Sequence, residues 1–214
     1  MEADAVELRV VGCLIEKQRT TPDVYPLSLN ALRHACNQST NRDPVVEYDE
    51  ATIRVALERL SRKGWVRLAS GPGSRAAKYR HLLDQAFQLA GPEIALLCVL
   101  MLRGAQTPGE LKQRTERLYR FGSLEEIEQR LEELATRDLV AQLPRRPGQK
   151  EQRYLQQLGG GSPAPSHESS RLEELADEDV SRGESDRLAA LEREVRALRD
   201  EVASLRETVE ANRH

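Results

Sequence analysis

The sequence predicts a mainly α-helical protein with small β-hairpin wings: two tandem winged-helix domains, then a linker and a C-terminal coiled-coil helix. Three observations carry this prediction. An internal duplication relates residues 7–83 to residues 93–158. Each copy has the pattern of three helices followed by two short strands joined by a Gly/Pro turn. A seven-residue repeat of leucine and valine lies near the C-terminus.

The duplication is clearest over the third helix of each copy, where residues 49–68 match residues 123–142 at a constant offset of 74. The first helices also correspond, Glu7–Ile15 with Glu93–Met101. The matched apolar residues of the third helices are Ile53, Leu57 and Leu60 in the first copy and Ile127, Leu131 and Leu134 in the second. Their three- and four-residue spacing is typical of a helix with one buried face.

Local signals mark where these helices begin and end. Thr107–Glu110 has the form of a capping box with proline at the first helical position. Asp49 and Ser123 occupy the N-cap position of the third helix in each copy. Gly64 and Gly104 suit the left-handed backbone conformation that ends a helix.

The hairpins distinguish a winged helix from a plain three-helix bundle. Each copy has a Pro-Gly turn, a basic cluster and a short run containing tyrosine, in GPGSRAAKYRHLL at 71–83 and RPGQKEQRYLQQL at 146–158. Three helices that close on a hairpin form the winged helix, a helix-turn-helix variant. Two plain bundles are the alternative, which the repeated hairpin disfavours. We predict domain boundaries at 1–86 and 87–158.

The C-terminal region predicts a linker and a dimeric coil. Residues 159–186 begin with a Gly/Ser/Pro-rich stretch and continue as an acidic segment, which indicates a flexible linker. Residues 187–210 carry apolar side chains at strict 3-4 spacing, namely Leu188, Leu191, Val195, Leu198, Val202, Leu205 and Val209. Valine at a and leucine at d favours a parallel two-stranded coil. Its flanking charges pair attractively as Arg187–Glu192, Glu194–Arg199 and Glu201–Arg206. A helix that folds back onto the body is the alternative.

The chain lacks the residue patterns of an enzyme, a cofactor site or a metal site. It has no CxxC, HExxH or phosphate-binding glycine motif, and His34 and Cys36 are spaced so that a helix turns them to different faces. The three cysteines are set among apolar residues, as reduced core residues are. No secretory signal and no membrane-spanning run is present. We therefore expect a non-enzymatic, cytoplasmic protein.

The first domain has the charge of a nucleic-acid-binding surface. Residues 51–82 contain eight Lys/Arg and one acidic residue. The third helix of a winged helix enters the DNA major groove, with the wing beside it on the backbone, and arginine suits contacts to both phosphate and guanine. The predicted contacts to double-stranded DNA are Arg54, Arg59, Arg62 and Lys63 on this helix, Arg75 and Lys78 on the wing, and Asn41 and Arg42 in the preceding turn. A solvated surface with intrahelical ion pairs is the alternative.

The turn before this helix is enlarged in the first domain. Aligning Ser28–Leu32 with Thr107–Leu111 gives an offset of 79, so five extra residues lie within 37–46. Asn37 is predicted to end the second helix in the left-handed conformation, and Asp43-Pro44 to leave it in an extended one. The polar residues between them either satisfy the local backbone or face a partner.

The second domain has the opposite charge on its third helix. Five glutamates lie between residues 125 and 133, which would repel phosphates. We therefore predict a pairing or protein-docking module, whose basic wing contacts the DNA backbone through Arg145, Arg146, Lys150 and Arg153. The alternative function for the whole chain is a protein–protein interaction scaffold of tandem winged helices.

Four blocks in this order resemble the YceH family of bacterial proteins, whose function is uncharacterised: TTPDVYPLSLNALRHACNQSTNRDPV, GSRAAKYRH, LRGAQTPGEL and LPRRPGQKEQRY. The resemblance covers about residues 5–158. It implies two winged-helix-like domains and no known activity, ligand or catalytic residue. Ser39-Thr40 departs from the family, in which a lysine is expected after the Asn-Gln pair.

Overall fold

A computed structural model describes residues 2–69, 76–145 and 151–159 of the chain. These residues lie in one compact unit, Met1–Gly161. The coiled-coil residues 187–210, and all but the first residue of the predicted linker, lie outside the described residues. The described part is mainly helical with small antiparallel sheets, as the sequence predicts.

The first copy forms three helices and a three-stranded sheet. Its elements are α1 (Ala5–Thr20), a 3-10 helix (Pro22–Val24), β1 (Leu27–Ser28), α2 (Leu29–Cys36), α3 (Glu50–Arg62), β2 (Val66–Leu68) and β3 (Lys78–His81). The sheet order is β1-β3-β2, with both pairs antiparallel.

The second copy follows with the same order of helices. Its elements are α5 (Gly91–Arg103), α6 (Pro108–Thr115), α7 (Leu124–Thr136), β4 (Val140–Gln142) and β5 (Tyr154–Gln156), after a short connecting helix α4 (Leu83–Ala86). Helices α2 and α6 both have 8 residues, and α3 and α7 both have 13. The duplication seen in the sequence is therefore a duplication of structure.

The strand pairing repeats in a place that the sequence pattern did not reveal. Leu27 of β1 lies opposite Tyr79 of β3. In the second copy, Gln106 forms an isolated bridge with Tyr154, and these two residues follow the same alignment. In each copy, the second strand of the hairpin thus pairs with the short segment that precedes the second helix.

The predicted helix ends are present. The side chains of Asp49, Thr107 and Ser123 each accept a hydrogen bond from the N–H three residues on, and Thr107 also completes its capping box. Gly64 and Gly104 have positive φ angles of 74° and 71°, but the ψ angle of −148° at Gly104 lies outside the left-handed helical conformation that the sequence predicts for it. At these two positions any other residue would be strained, because a Cβ atom disfavours positive φ.

The two copies share one hydrophobic core, because α1 packs directly against α5. Gly12 allows this close approach: a Cβ atom there would lie 2.8 Å from Leu102 Cδ2. The Cys98 thiol on α5 donates a hydrogen bond to the Gly12 carbonyl oxygen over 3.3 Å. The two predicted domains are thus joined through their first helices.

The prediction for the backbone of Asn37 in the enlarged turn is wrong. Asn37 does not adopt the left-handed conformation; its φ and ψ angles are −92° and 13°. Instead its side chain pairs with the backbone of Tyr48, with Asn37 Nδ2 donating to the Tyr48 carbonyl at 2.8 Å and the Tyr48 N–H donating to Asn37 Oδ1 at 2.9 Å. The left-handed residue is Asn41, with φ of 60°. Local hydrogen bonding across the turn is confirmed.

Two buried arginines fasten this turn to the body. Arg9 of α1 donates to the carbonyl oxygens of Cys36 and Pro44, at 3.2 and 2.5 Å. Arg42 donates to both carboxylate oxygens of Glu16, at 3.0 and 2.6 Å, and to the Ala35 carbonyl oxygen at 3.1 Å. The extra residues therefore have a fixed position between α2 and α3.

Candidate nucleic-acid interface

Helix α3 has one buried face and one charged, exposed face. The buried residues are Ile53, Ala56, Leu57 and Leu60, as predicted. The opposite face leaves Arg54, Glu58 and Arg62 exposed. Neither Arg54 nor Arg62 forms an ion pair with a described residue, so both guanidinium groups keep their charge at the surface.

The sheet continues the cationic surface. Arg67 of β2 lies directly opposite Arg80 of β3 in the antiparallel register. Like charges in directly opposed positions are destabilising. Lys78 alternates with Arg80 along β3, so it lies on the same sheet face. The face that packs inward carries Val66 and His81 instead.

A groove separates α3 from this sheet. Its volume is about 240 Å³, and it is lined by residues from both elements, including Arg54, Glu58, Arg67 and Tyr79. Leu68, at the end of β2, is 56% exposed beside it. The groove therefore combines cationic rims with an apolar floor.

Arg59 is at the surface, but its charge is compensated. Its Nη1 atom lies 2.8 Å from Asp4 Oδ2, and the two side chains are 50% and 44% exposed. Exposed ion pairs of this kind contribute little stability, so Arg59 can exchange partners at low cost. Its predicted role at the interface stays a prediction.

Lys63 is engaged in an ion pair within the first copy, and its predicted contact with DNA stays a prediction. Its Nζ atom lies 2.6 Å from Glu7 Oε1, and only 14% of its side chain is exposed. Glu7 is 3% exposed, and its other carboxylate oxygen accepts the N–H of Asp4 at the start of α1. Lys63 is thus a half-buried counter-ion that joins the end of α3 to the start of α1.

The second copy contains the same ion pair. Arg137, at the end of α7, donates to Glu93 Oε1 at 3.2 Å. The other oxygen of Glu93 accepts the N–H of Ala90 at the start of α5. Arg137 matches Lys63 at the offset of 74, and Glu93 matches Glu7 in the first-helix alignment. The repeated geometry indicates a structural role for both pairs.

Replacing Lys63 with alanine is expected to lower the free energy of unfolding by about 3 kcal/mol, because Glu7 would be left buried and unpaired. Arg62→Ala, one residue earlier and exposed, is the matched control and should change it by about 0.5 kcal/mol or less. Urea denaturation followed by circular dichroism measures both. Equal losses in the two variants would contradict the structural role of Lys63.

The enlarged turn contributes less to the surface than predicted. Arg42 has a side chain that is 0% exposed, so its predicted contact with a partner is wrong: it is fully engaged by Glu16 and nearby carbonyl and amide oxygens. Asn41 is exposed, and its Oδ1 atom accepts a hydrogen bond from Arg103 of α5.

The wings are described only in part. Arg75 of the first wing and Arg146 and Lys150 of the second lie outside the described residues. Lys78 and Arg145 are exposed. Arg153 is half-buried and donates to the Ala105 carbonyl oxygen at 3.2 Å and to Glu110 at 3.5 Å, so it fastens β5 to α6.

The exposed face of α7 has the opposite charge to the exposed face of α3. At the offset of 74, Arg54 corresponds to Glu128 and Arg59 to Glu133. Arg130 is paired with Glu133 over 2.6 Å. The third helix of the second copy therefore presents an acidic surface, as the sequence predicts.

The described residues hold no arrangement suited to metal binding: no group of three or more His, Cys, Asp or Glu side chains converges among them. His81 is buried, and burial lowers its pKa to about 4. Its Nε2 atom lies 2.6 Å from Gln18 Oε1. The three cysteines are free and buried, as predicted. None of the described helices has the length and apolar character that crossing a bilayer requires.

Comparison with known proteins gives consistent matches along most of the chain. The family model described as "Protein of unknown function, DUF480" matches residues 3–149. A UPF0502 protein of Koribacter versatilis is 50% identical over 194 residues, which cover 89% of this chain and 87% of the relative. One of Citrifermentans bemidjiense is 51% identical over 202 residues, covering 91% and 90%. One of Shewanella sp. (strain ANA-3) is 43% identical over 214 residues, covering 96% and 98%.

Proposed function

The chain belongs to the DUF480 family of proteins of unknown function, and we propose that it binds double-stranded DNA through the outer face of α3 and the neighbouring sheet. The resemblance to the YceH family is confirmed by the same matches. The proposal includes the finer architecture predicted from the sequence, two winged-helix domains in tandem. The order of three helices and an antiparallel strand pair in each copy supports it.

One observation carries the proposal: the concentration of positive charge on this side of the first copy. Five basic side chains are distributed over α3, β2 and β3, namely Arg54, Arg62, Arg67, Lys78 and Arg80. The acidic residue among them is Glu58. Arg42 and Lys63 do not belong to this set, because Glu16 and Glu7 compensate their charges within the fold.

The shape of the surface suits a duplex. An α-helix fits the major groove of B-DNA, and the residues on its outer face then reach base edges. Arg54 and Arg62 lie two turns apart on that face, and Arg67 of β2 lines the groove beside the helix, where the phosphate backbone would pass. Arginine can contact either a phosphate or the two acceptors of guanine.

The C-terminal repeat at 187–210 extends the proposal to a parallel homodimer. Two copies paired through this coil would present two α3 helices to one duplex, and dimeric regulators read paired half-sites in this way. The function proposed is therefore that of a dimeric, non-enzymatic DNA-binding regulator.

Binding of a fluorescent duplex, measured by anisotropy over a series of salt concentrations, tests the proposal. If about five side chains each neutralise one phosphate, the logarithm of the binding constant should fall against the logarithm of salt concentration with a slope of about −4 to −5. Absence of binding at low salt would contradict the proposal.

The acidic face of α7 supports a second candidate function, an interaction scaffold. Glu125, Glu128 and Glu132 are exposed on it, and Leu124 at its start is 41% exposed. This surface would repel DNA and suits a basic protein. Recovery of one stoichiometric protein partner from nuclease-treated extract, abolished by charge reversal on α7, would favour this function.

A further inference from the structure

We propose that a cationic cleft between the two copies is a binding site for a small molecule that carries a phosphate or carboxylate group. The cleft is separate from the α3 surface, and the inference does not depend on DNA binding. Its basic lining residues are Lys17 of α1, Arg103 of α5, Arg114 of α6 and Arg117 just beyond α6.

The cleft is formed by elements that the fold brings together from distant parts of the chain. Its walls are the C-terminal half of α1, the enlarged turn at residues 38–41, the last turns of α5, and the end of α6. Its volume is about 230 Å³. Sites for drug-sized ligands are larger, about 300–1,000 Å³, so this cleft suits a compact metabolite.

Among the described residues that line the cleft, the one acid is Glu16, and its charge is already neutralised. Both carboxylate oxygens of Glu16 accept hydrogen bonds from the buried Arg42. Burial raises the pKa of Glu16, but the hydrogen bonds and positive charges of Arg42 and Lys17 outweigh burial and hold this pKa below its usual value. Glu16 is therefore ionised at neutral pH, and its charge is balanced by Arg42 behind the cleft wall.

Three of the cations that line the cleft, Lys17, Arg114 and Arg117, are only weakly compensated by acidic side chains. Lys17 Nζ lies 3.6 Å from Glu16, which it shares with Arg42. Arg114 lies 3.8 Å from Glu110, at the limit of an ion pair. Arg117 is exposed and forms no ion pair with a described residue. The lining thus has more positive than negative charge.

Basic residues near helix C-termini also balance the helix dipole, and three helices end beside this cleft. Each helix end carries about half a negative charge, so three ends supply at most about 1.5. Lys17, Arg114 and Arg117 supply three positive charges, which exceed the helix-end charge and the charge of Glu16 taken together, even before Arg42 is considered. The dipoles alone therefore do not account for the charge, and an anion would be attracted.

The cleft also offers polar contacts from the enlarged turn. Gln38 Oε1 accepts hydrogen bonds from Arg42 at 2.9 Å and from Lys17 at 3.4 Å, which orients the Gln38 amide group at the wall. Thr40 and Asn41 continue the wall. A bound oxyanion would therefore contact α1, α5, α6 and the turn that leads to α3, and would stabilise the packing of the two copies.

Thermal unfolding of the full chain with added inorganic phosphate, pyrophosphate or citrate tests the proposal, with sodium chloride adjusted to keep ionic strength constant. A ligand that binds the folded state raises the unfolding temperature, and the rise grows with the logarithm of ligand concentration once that exceeds the dissociation constant. Phosphate and pyrophosphate represent phosphate ligands, and citrate represents carboxylates. Isothermal titration calorimetry gives the dissociation constant of each.

We expect saturable binding of at least one of these anions, weakened about tenfold or more by Arg117→Ala and further by Arg117→Glu. Arg120→Ala is the matched control, because Arg120 is exposed, three residues away and paired with Glu116. Failure of all three anions to bind up to about 10 mM would overturn the proposal, since weaker binding would add little stability. Equal weakening by Arg120→Ala, or Arg117-dependent binding of a DNA duplex alone, would overturn it as well.

Discussion

Replacing Arg42 with alanine is expected to lower the free energy of unfolding by about 3–5 kcal/mol, since it removes one partner of a buried ion pair. The variant would leave Glu16, which is 15% exposed, without its main counter-ion. It would also remove the hydrogen bond to the Ala35 carbonyl oxygen and release the turn before α3. Chemical denaturation measures the loss.

The effect should depend on pH in a defined direction. The pKa of Glu16 in the folded protein is below its usual value of 4.5. The pair therefore stabilises the protein above that value, and this contribution is lost as the pH falls through the lower folded-state pKa. The difference in stability between the wild type and Arg42→Ala should shrink in acid. Arg120→Ala, at an exposed pair, should cost about 1 kcal/mol or less at neutral pH; a comparable loss would contradict the account.

The double substitution of Arg54 and Arg62 by alanine is expected to weaken duplex binding by about 2–4 kcal/mol, because each arginine is proposed to make one direct contact. Both side chains are exposed and serve no described ion pair, so the folded state should be retained. Fluorescence anisotropy at fixed salt measures the affinity, and circular dichroism checks the fold.

Two variants act as controls for that result. Arg59→Ala should weaken duplex binding less than Arg54→Ala or Arg62→Ala does, because Asp4 already compensates the charge of Arg59. Arg130→Ala, on the acidic α7, should leave affinity unchanged. If Arg130→Ala weakens binding as much as the double substitution does, α3 is not the principal DNA surface.

The repeat made much of the fold predictable. Apolar spacing and capping residues located α3 and α7, because burial of one face and the needs of the first N–H groups are local properties of the sequence. Two short features were missed: the two-residue strand β1 in the first copy and the single bridging residue Gln106 in the second. One or two residues are too few to form a recognisable sequence pattern. Asn37 was misassigned because its side chain, rather than its backbone, satisfies the turn.

The site was predicted less well, because charge along the sequence does not reveal tertiary partners. Arg42 meets Glu16, which is 26 residues away, and Lys63 meets Glu7, which is 56 residues away. No pattern in the sequence indicated that Arg9 would be buried beneath the turn. For Lys63 a signal existed: a basic residue ends the third helix and a glutamate begins the first helix in both copies. Duplicated opposite charges are a mark of a structural pair.

Photo-crosslinking from matched positions on α3 and α7 tests most directly which helix contacts DNA. Val55 is 45% exposed on α3, and Gln129 is its exposed counterpart at the offset of 74 on α7. With benzoylphenylalanine introduced at either position, irradiation with a labelled duplex should give a covalent adduct from position 55 and none from position 129. An adduct from 129 alone, or from neither position, would contradict DNA binding through α3.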